Sequence, residues 1–261
     1  MGLPIPFIPP LVLQAAVVNG ALIAAASASR QHALTPAGVR HAAALGLLLW
    51  SAMGAAGWGL CVAFLIGGTA LTRVGRAAKE AAGIAEGRGG RRGPENVWGA
   101  GAAGALCAVG MLLVGGAGGA RGGGWVLQVL RLAFVSSMAT KMSDTAASEV
   151  GKVYGKTAYL VTTLAVVPRG TEGAVSVEGT AAGVVASVAM GALAVAVGLI
   201  PLSGVPVVAV AAAVATTIES VIGATVQEDW GMTNEFVNFL NTSIGAGVAA
   251  AIAVVARCCT L

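Results

Sequence analysis

The sequence reads as an all-α, polytopic transmembrane helical bundle of about seven to eight spans, forming a single integral membrane domain over residues 1–261. Hydrophobic residues make up 57% of the chain and charged residues 10%, with a mean hydropathy of +0.86, whereas a soluble domain is ~25% charged. No Asp, Glu, Lys or Arg falls between Arg40 and Arg73, between Glu95 and Arg121, or between Glu178 and Glu219, and each gap exceeds the ~20 residues that a spanning helix needs. Glycine and alanine are abundant, as in Gly99-Ala100-Gly101-Ala102-Ala103-Gly104, and small residues let transmembrane helices approach closely.

Apolar runs bounded by charged or Gly- and Pro-rich breaks predict spans near 7–27, 41–56, 57–72, 97–118, 126–146, 176–200, 205–226 and 236–256. The second and third are short for a ~30 Å hydrocarbon core. Gly54, Gly57 and Gly59 supply a turn that would fold them into a hairpin; one tilted helix with an interfacial flank is the alternative. With eight spans, loops 28–40, 73–96, 147–175 and 227–235 share one face and hold eleven Lys or Arg residues. Arg121, Arg131 and Arg257 fall on the other face, and Lys141 inside a span. The positive-inside rule makes the basic face cytosolic, or stromal in a plastid. Those loops account for the net charge of +4, so nucleic acid is not an expected partner.

Cys61 and Cys107 lie alone in apolar runs and Cys258 and Cys259 are adjacent, which gives neither a zinc spacing nor a disulfide framework. Cys258-Cys259-Thr260-Leu261 has the length of a prenylation box without its aliphatic residues. Met1 to Pro10 carries no Arg- and Ser-rich transit stretch and no charged start to a signal peptide, so either no leader is needed or one has been removed. His32 and His41 flank the first loop as interfacial residues.

Charge and amide break the apolar background at Lys141 to Arg169, Glu219 to Asp229, and Asn234 to Asn241. A carboxylate inside a span costs about 2.5–3.5 kcal/mol on insertion scales, so Asp144, Glu149 and Glu219 are expected to have a function. In helical register Lys141, Asp144 and Ser148 share one face, and Thr145, Glu149 and Lys152 the next. Alternating carboxylates and ammoniums there suit a metal triphosphate, while intrahelical pairs such as Glu149 with Lys152 are the plainer role. Gly151-Lys152-Val153-Tyr154-Gly155-Lys156-Thr157 is one residue short of a P-loop and follows a helix. Val167-Pro168-Arg169-Gly170-Thr171-Glu172-Gly173 sets a cation and a hydroxyl between residues that permit sharp turns and close approach of amides to an anion. Any interfacial turn shares that pattern.

Thr216, Glu219, Gly223 and Gln227 recur on one ridge of the seventh span, and Asn234, Asn238, Asn241 and Gly245 on one ridge of the eighth. Two facing polar stripes would line one wet pocket, with interhelical hydrogen bonding as the plainer role for the asparagines. In the basic loop, Gly89-Gly90-Arg91-Arg92-Gly93 is Gly-rich for a topological anchor and suits a phosphate-bearing ligand.

These residues carry a resemblance. Lys79-Glu80-Ala81-Ala82-Gly83-Ile84-Ala85-Glu86, Gly89 to Pro94, Lys141-Met142-Ser143-Asp144-Thr145 through Lys152, and Val167 to Gly173 resemble the phytyl-phosphate kinases of plants and algae. Those enzymes fall in a membrane family long labelled as a domain of unknown function, and the likeness runs from about Thr35 to Gly247. Asp144, Gly155-Lys156, Thr171-Glu172-Gly173 and Glu219-Ser220 also resemble, more distantly, CTP-dependent lipid cytidylyltransferases and lipid kinases. The chain departs from the cytidylyltransferase pattern after Glu219-Ser220, where Ile222-Gly223-Ala224 and Gln227 replace charged pairs, which favours phosphoryl over nucleotidyl transfer.

The resemblance implies CTP-dependent phosphorylation of phytyl phosphate to phytyl diphosphate, in the chloroplast envelope with the active face toward the stroma, for tocopherol and phylloquinone synthesis. A phosphate monoester has a second pKa of about 6, so the acceptor is a dianion that needs no general base. Repulsion between the reactants calls instead for Mg²⁺ and cations. Asp144, Glu149 and Glu219 are the expected metal ligands. Lys152, Lys156 and Arg169 are expected to act with Asp144 in catalysis by cradling the nucleotide phosphates, with Gly151, Gly155, Thr171, Glu172 and Gly173 around the nucleotide. Arg91, Arg92, Asn234, Asn238 and Asn241 are expected at the acceptor. A CTP-using enzyme on another isoprenoid or lipid phosphate is the nearest alternative. A solute transporter is the alternative from another class, but the chain shows no internal repeat and its polar clusters gather toward one face.

Overall fold

The computed structural model describes residues 10–28, 33–115 and 124–259. His32, Arg121, residues 1–9 and the last two residues lie outside that set, as do the side chains of Cys258 and Cys259. Helices run over Pro10–Ala28 (α1), Pro36–Arg73 (α2), Arg76–Ala81 (α3), Pro94–Gly115 (α4), Trp125–Tyr154 (α5), Val177–Ala196 (α6), Gly204–Thr225 (α7) and Asn234–Cys259 (α8). Prolines at the starts of α2 and α4 fall where a missing backbone N–H costs nothing. Side-chain caps act at the starts of α2 and α6: Thr35 Oγ1 accepts from the Gly38 amide (3.0 Å) and Ser176 Oγ from the Gly179 amide (3.1 Å).

Five helices, α2, α4, α6, α7 and α8, are long and apolar enough to cross a membrane by length and composition. In α1, Leu13–Ala24 forms a shorter apolar segment. α5 runs two turns beyond the predicted 146 and carries Arg131, Lys141, Asp144, Glu149 and Lys152. It is the central helix, touching α2, α4, α6, α7 and α8.

The segments predicted at 41–56 and 57–72 are the two arms of α2, broken at Gly54 with φ 64° and ψ −151°. A side chain would not tolerate that backbone. Gly38 and Gly68 both lie against Arg92, although a straight helix would hold them about 45 Å apart. α2 therefore doubles back at Gly54. On α1, Asn19 accepts from Trp58 Nε1 (3.2 Å) and presses on Gly46, so one side chain touches both arms.

The loops that join these helices converge. Arg92 exchanges backbone hydrogen bonds with Ala33 and Thr35, each 3.0 Å. Asn96 donates to Glu235 (3.1 Å), Ile84 sits against Gly170, and Arg169 donates to the Val153 carbonyl (3.2 Å). The start of α2, the 74–93 loop, the end of α5, the 155–176 loop and the α7–α8 turn thus occupy one end of the bundle.

A three-stranded antiparallel sheet in the 155–176 loop lies outside the all-α expectation. Its strands are Ala158–Leu160 (β1), Val166–Val167 (β2) and Ala174–Val175 (β3), in order β2-β1-β3. Ala158 pairs with Val167 and Tyr159 with Val175. Strands of two or three residues leave no periodicity to read. The sheet brings the Pro168–Gly173 turn back toward the helices, and Gly173, at φ 71°, presses on α7 where a Cβ would meet Ser220 O at 2.5 Å.

Candidate active site

Three helices bring the polar stripes together. On α5, Asp144 follows Lys141 by three residues, so the two share a face, and the Lys141 ammonium donates to Asp144 Oδ2. From α8, Asn238 Oδ1 accepts a second bond from Lys141 at 2.5 Å. The α7 carboxyl of Glu219 lies within hydrogen-bonding reach of Asp144 and accepts from Asn241 Nδ2 of α8. Asp144 and Glu219 thus meet although far apart in sequence, with Asn238 and Asn241 beside them. Asn241 is 0% exposed and Asn238 6%.

Charges at longer range frame this cluster. The Lys152 ammonium acts on Asp144, the Glu172 carboxylate on Glu219, and the Arg92 guanidinium on Lys141. Arg92 stacks on Phe64 at 5.1 Å from the ring centre. Burial lowers its proton affinity from the ordinary value, while Glu86 and Glu149 pull the other way; a guanidinium stays charged under such shifts.

Polar atoms below the carboxyl pair lack partners. Among the described residues Asn241 Oδ1, Thr140 Oγ1 and Ser136 Oγ are buried and make no hydrogen bond. Ser136, Thr140 and Asp144 follow one another at four-residue spacing, one ridge of α5. Thr140 lies against Gly245 of α8, so the polar ridge continues into the α5–α8 seam.

Glu149, expected beside Asp144 as a metal ligand or in a pair with Lys152, is instead engaged by Lys79 of α3. The side chains of that ion pair are 2% and 4% exposed, and the ammonium also donates to Thr72 O at 2.8 Å. Buried charges demand a partner, and Glu149 lies one residue round the helix from the Lys141–Asp144–Ser148 face, toward the 74–93 loop. The pair ties that loop to α5.

Gly151 and Gly155, expected around the nucleotide, lie against Ser176 at the start of α6. A Cβ on Gly151 would lie 3.1 Å from Ser176 Oγ, and one on Gly155 2.9 Å from the same atom. Gly179 in turn faces the Ala147 carbonyl. Without these glycines α5 and α6 could not approach so closely.

The remaining expected residues ring the same end of the bundle. Lys152 is half-buried; Lys156, Arg169, Thr171, Glu172, Arg91 and Asn234 are exposed. The Lys156 amide donates to Glu178 Oε2 (3.3 Å), and the Thr171 hydroxyl to Pro168 O (2.8 Å). Two residues escaped the site expectation. Lys141 was legible through its spacing from Asp144, but its Asn238 contact was not; Lys79 pairs with a residue 70 positions away and has no local signal.

Among the described residues no group of three or more His, Cys, Asp or Glu side chains converges as a metal cage would. Two carboxyls with an unpartnered amide oxygen fit a different kind of site. Mg²⁺ takes one or two protein carboxylates and completes its shell with water and substrate phosphate. Asp144, Glu219 and Asn241 Oδ1 offer that donor set.

Fold and site together define a polytopic membrane protein that gathers carboxyl, amide and basic groups at one end of a helical bundle. The chain belongs to the DUF92 family of integral membrane proteins, matching it over residues 19–246. It is 49% identical over 246 residues to the uncharacterized membrane protein sll0875 of Synechocystis, a match covering 94% of this chain and 92% of that protein. It is 46% identical over 220 residues to Protein VTE6, chloroplastic, of Arabidopsis thaliana, covering 83% of this chain and 64% of that protein. A match to the uncharacterized membrane protein MJ0933 of Methanocaldococcus jannaschii is 32% identical over 117 residues, covering 44% of this chain and 48% of that one. No solved structure matches the chain.

Proposed function

We propose that the protein is a membrane kinase that transfers the terminal phosphate of CTP, or another nucleoside triphosphate, to phytyl phosphate. The product, phytyl diphosphate, would feed tocopherol and phylloquinone synthesis. The observation that carries this is the Asp144–Glu219 pair, two carboxyls from separate helices meeting at the basic end of the bundle. The similarity to VTE6 of Arabidopsis and the motif resemblance to phytyl-phosphate kinases support the substrate.

In this reading a phosphate oxygen of the acceptor attacks the γ-phosphorus, a new O–P bond forms, and the γ–β bridging bond breaks to release CDP. The dianionic acceptor needs no side chain to deprotonate it. Asp144, Glu219 and Asn241 would hold Mg²⁺, which supplies charge neutralisation between the phosphates. Lys152, Lys156 and Arg169 would meet the nucleotide phosphates, with Thr171, Glu172 and Gly173 in the adjoining turn. Arg91 and Arg92, with Asn238 and Asn234 on α8, would position the acceptor phosphate, leaving its prenyl tail to lie among lipid-facing helices. In a plastid the site would open to the stroma from the envelope membrane, by the positive-inside rule.

The test is purified protein with γ-labelled CTP, Mg²⁺ and phytyl phosphate, alongside ATP and free phytol. Label in phytyl diphosphate supports the proposal. A cytidylate product with released pyrophosphate would make the protein a nucleotidyltransferase, and label in phytyl monophosphate from free phytol would displace the acceptor.

A further inference from the structure

Two carboxyl groups within hydrogen-bonding reach cannot both carry full charge unless a proton or a cation lies between or beside them. Here the nearest cation is part of the chain. The Lys141 ammonium is bonded to Asp144 and Asn238 and acts on Glu219 across the pocket. An ammonium has three donors, and Asp144 and Asn238 take two.

The position is costly for a residue with no further role. A lysine inside an otherwise apolar bundle is expensive, and natural chains place one there for function. Lys141 and Asp144 side chains are only 13% and 17% exposed. The pair also cannot be explained as a simple intrahelical staple, because Lys141 reaches across to α8 while Asp144 reaches α7. Beside them Asn241 Oδ1, fully buried, has no partner. The pocket therefore holds one acceptor oxygen more than Lys141 satisfies.

We propose that Lys141 is the resident counter-cation of the Asp144–Glu219 pair, an ammonium that yields Asp144 to an incoming divalent ion and then turns to the phosphate oxygens of the bound reactants. This rests on the reading of Asp144 and Glu219 as metal ligands and adds a catalytic residue to it. A divalent ion satisfies both carboxyls and the Asn241 oxygen at once, which one ammonium does not. Lys141 keeps its bond to Asn238 as a pivot, and its flexible four-carbon stem lets the charge move without moving α5. The same side chain thus keeps the resting pocket compensated and supplies positive charge where negative charge develops during transfer.

A displaceable lysine separates two binding reactions that a fixed structural lysine would leave together. The probes are Mn²⁺ alone, followed by electron paramagnetic resonance, and inorganic triphosphate added to the Mn²⁺-loaded protein. Both are applied to the full chain in detergent without nucleotide or prenyl phosphate. Lys141→Gln is expected to bind Mn²⁺ about tenfold tighter than wild type or better, since its competitor is gone, and to bind triphosphate about tenfold more weakly, since a charge-assisted bond is lost. Lys141→Arg, whose guanidinium holds a carboxylate more firmly, is expected to weaken Mn²⁺ binding, and it carries the test if the glutamine variant does not fold.

Unchanged Mn²⁺ affinity in the folded Lys141 variants, with affinity lost in Asp144→Asn and Glu219→Gln, would overturn the role of Lys141 while leaving the metal site intact. Absence of Mn²⁺ binding in wild type, with or without triphosphate, would remove the metal site and the proposal with it.

Discussion

Glu149→Gln tests whether this carboxylate belongs to the metal or to Lys79. In the folded protein the Lys79 and Glu149 side chains are 2% and 4% exposed, and the other partner of the ammonium is the Thr72 carbonyl at 2.8 Å. Amidation leaves a buried ammonium without a countercharge, which costs about 3–5 kcal/mol. For a chain of this size that corresponds to a fall of roughly 6–20 °C in melting temperature. Replacing both residues, Lys79→Met with Glu149→Leu, removes both charges, and a buried pair is often no better than apolar side chains of similar volume. The double variant should therefore recover most of the loss. The assay is thermal unfolding of the detergent-purified protein, read as a double-mutant cycle. If Glu149→Gln melts with wild type while its Mn²⁺ affinity collapses, Glu149 is a metal ligand and the assignment to Lys79 is wrong.

Three further perturbations probe the frame around the site. Gly179→Ala would set a Cβ 2.5 Å from the Ala147 carbonyl; overpacking at the α5–α6 contact should cost about 1–3 kcal/mol, visible as a lower melting temperature. Gly173→Ala combines φ 71° with a Cβ 2.5 Å from Ser220 O, so the 168–173 turn should lift from α7 and become more susceptible to limited proteolysis. Phe64→Ala removes the ring beneath Arg92, a contact worth about 0.5–2 kcal/mol, and should raise KM for the prenyl phosphate more than for the nucleotide.

Parts of this organisation were legible from the residues alone. Charge-free gaps located the apolar helices, because twenty or more residues without Asp, Glu, Lys or Arg in so greasy a chain suit a bilayer far better than water. The hinge of α2 was visible in Gly54, Gly57 and Gly59, since glycine marks where a helix can turn sharply. The polar ridges of α7 and α8 pointed to one pocket, and Glu219, Asn238 and Asn241 do gather at Asp144. What failed to show were pairings made by tertiary packing. The sequence could not tell whether Glu149 faced Lys152 or Lys79, because the choice depends on where the 74–93 loop lands. Gly151 and Gly155 looked like a phosphate loop because glycine serves equally for close backbone approach to an anion and to a neighbouring helix. Here both glycines lie against the start of α6. The strands of the 155–176 loop are too short to carry a periodic signal.

If Asp144 and Glu219 act as one unit in phosphoryl transfer, their coupling will show in the initial rate of label transfer from γ-labelled CTP to phytyl phosphate in Asp144→Asn, Glu219→Gln and the double variant. Each single change should lower the rate by about 10²–10³-fold, the scale of losing one preorganised electrostatic contact. The double variant should be little worse than either, as for groups that work together. A folded single variant that transfers label within a few-fold of wild type would show that the carboxyl pair is not the seat of the chemistry.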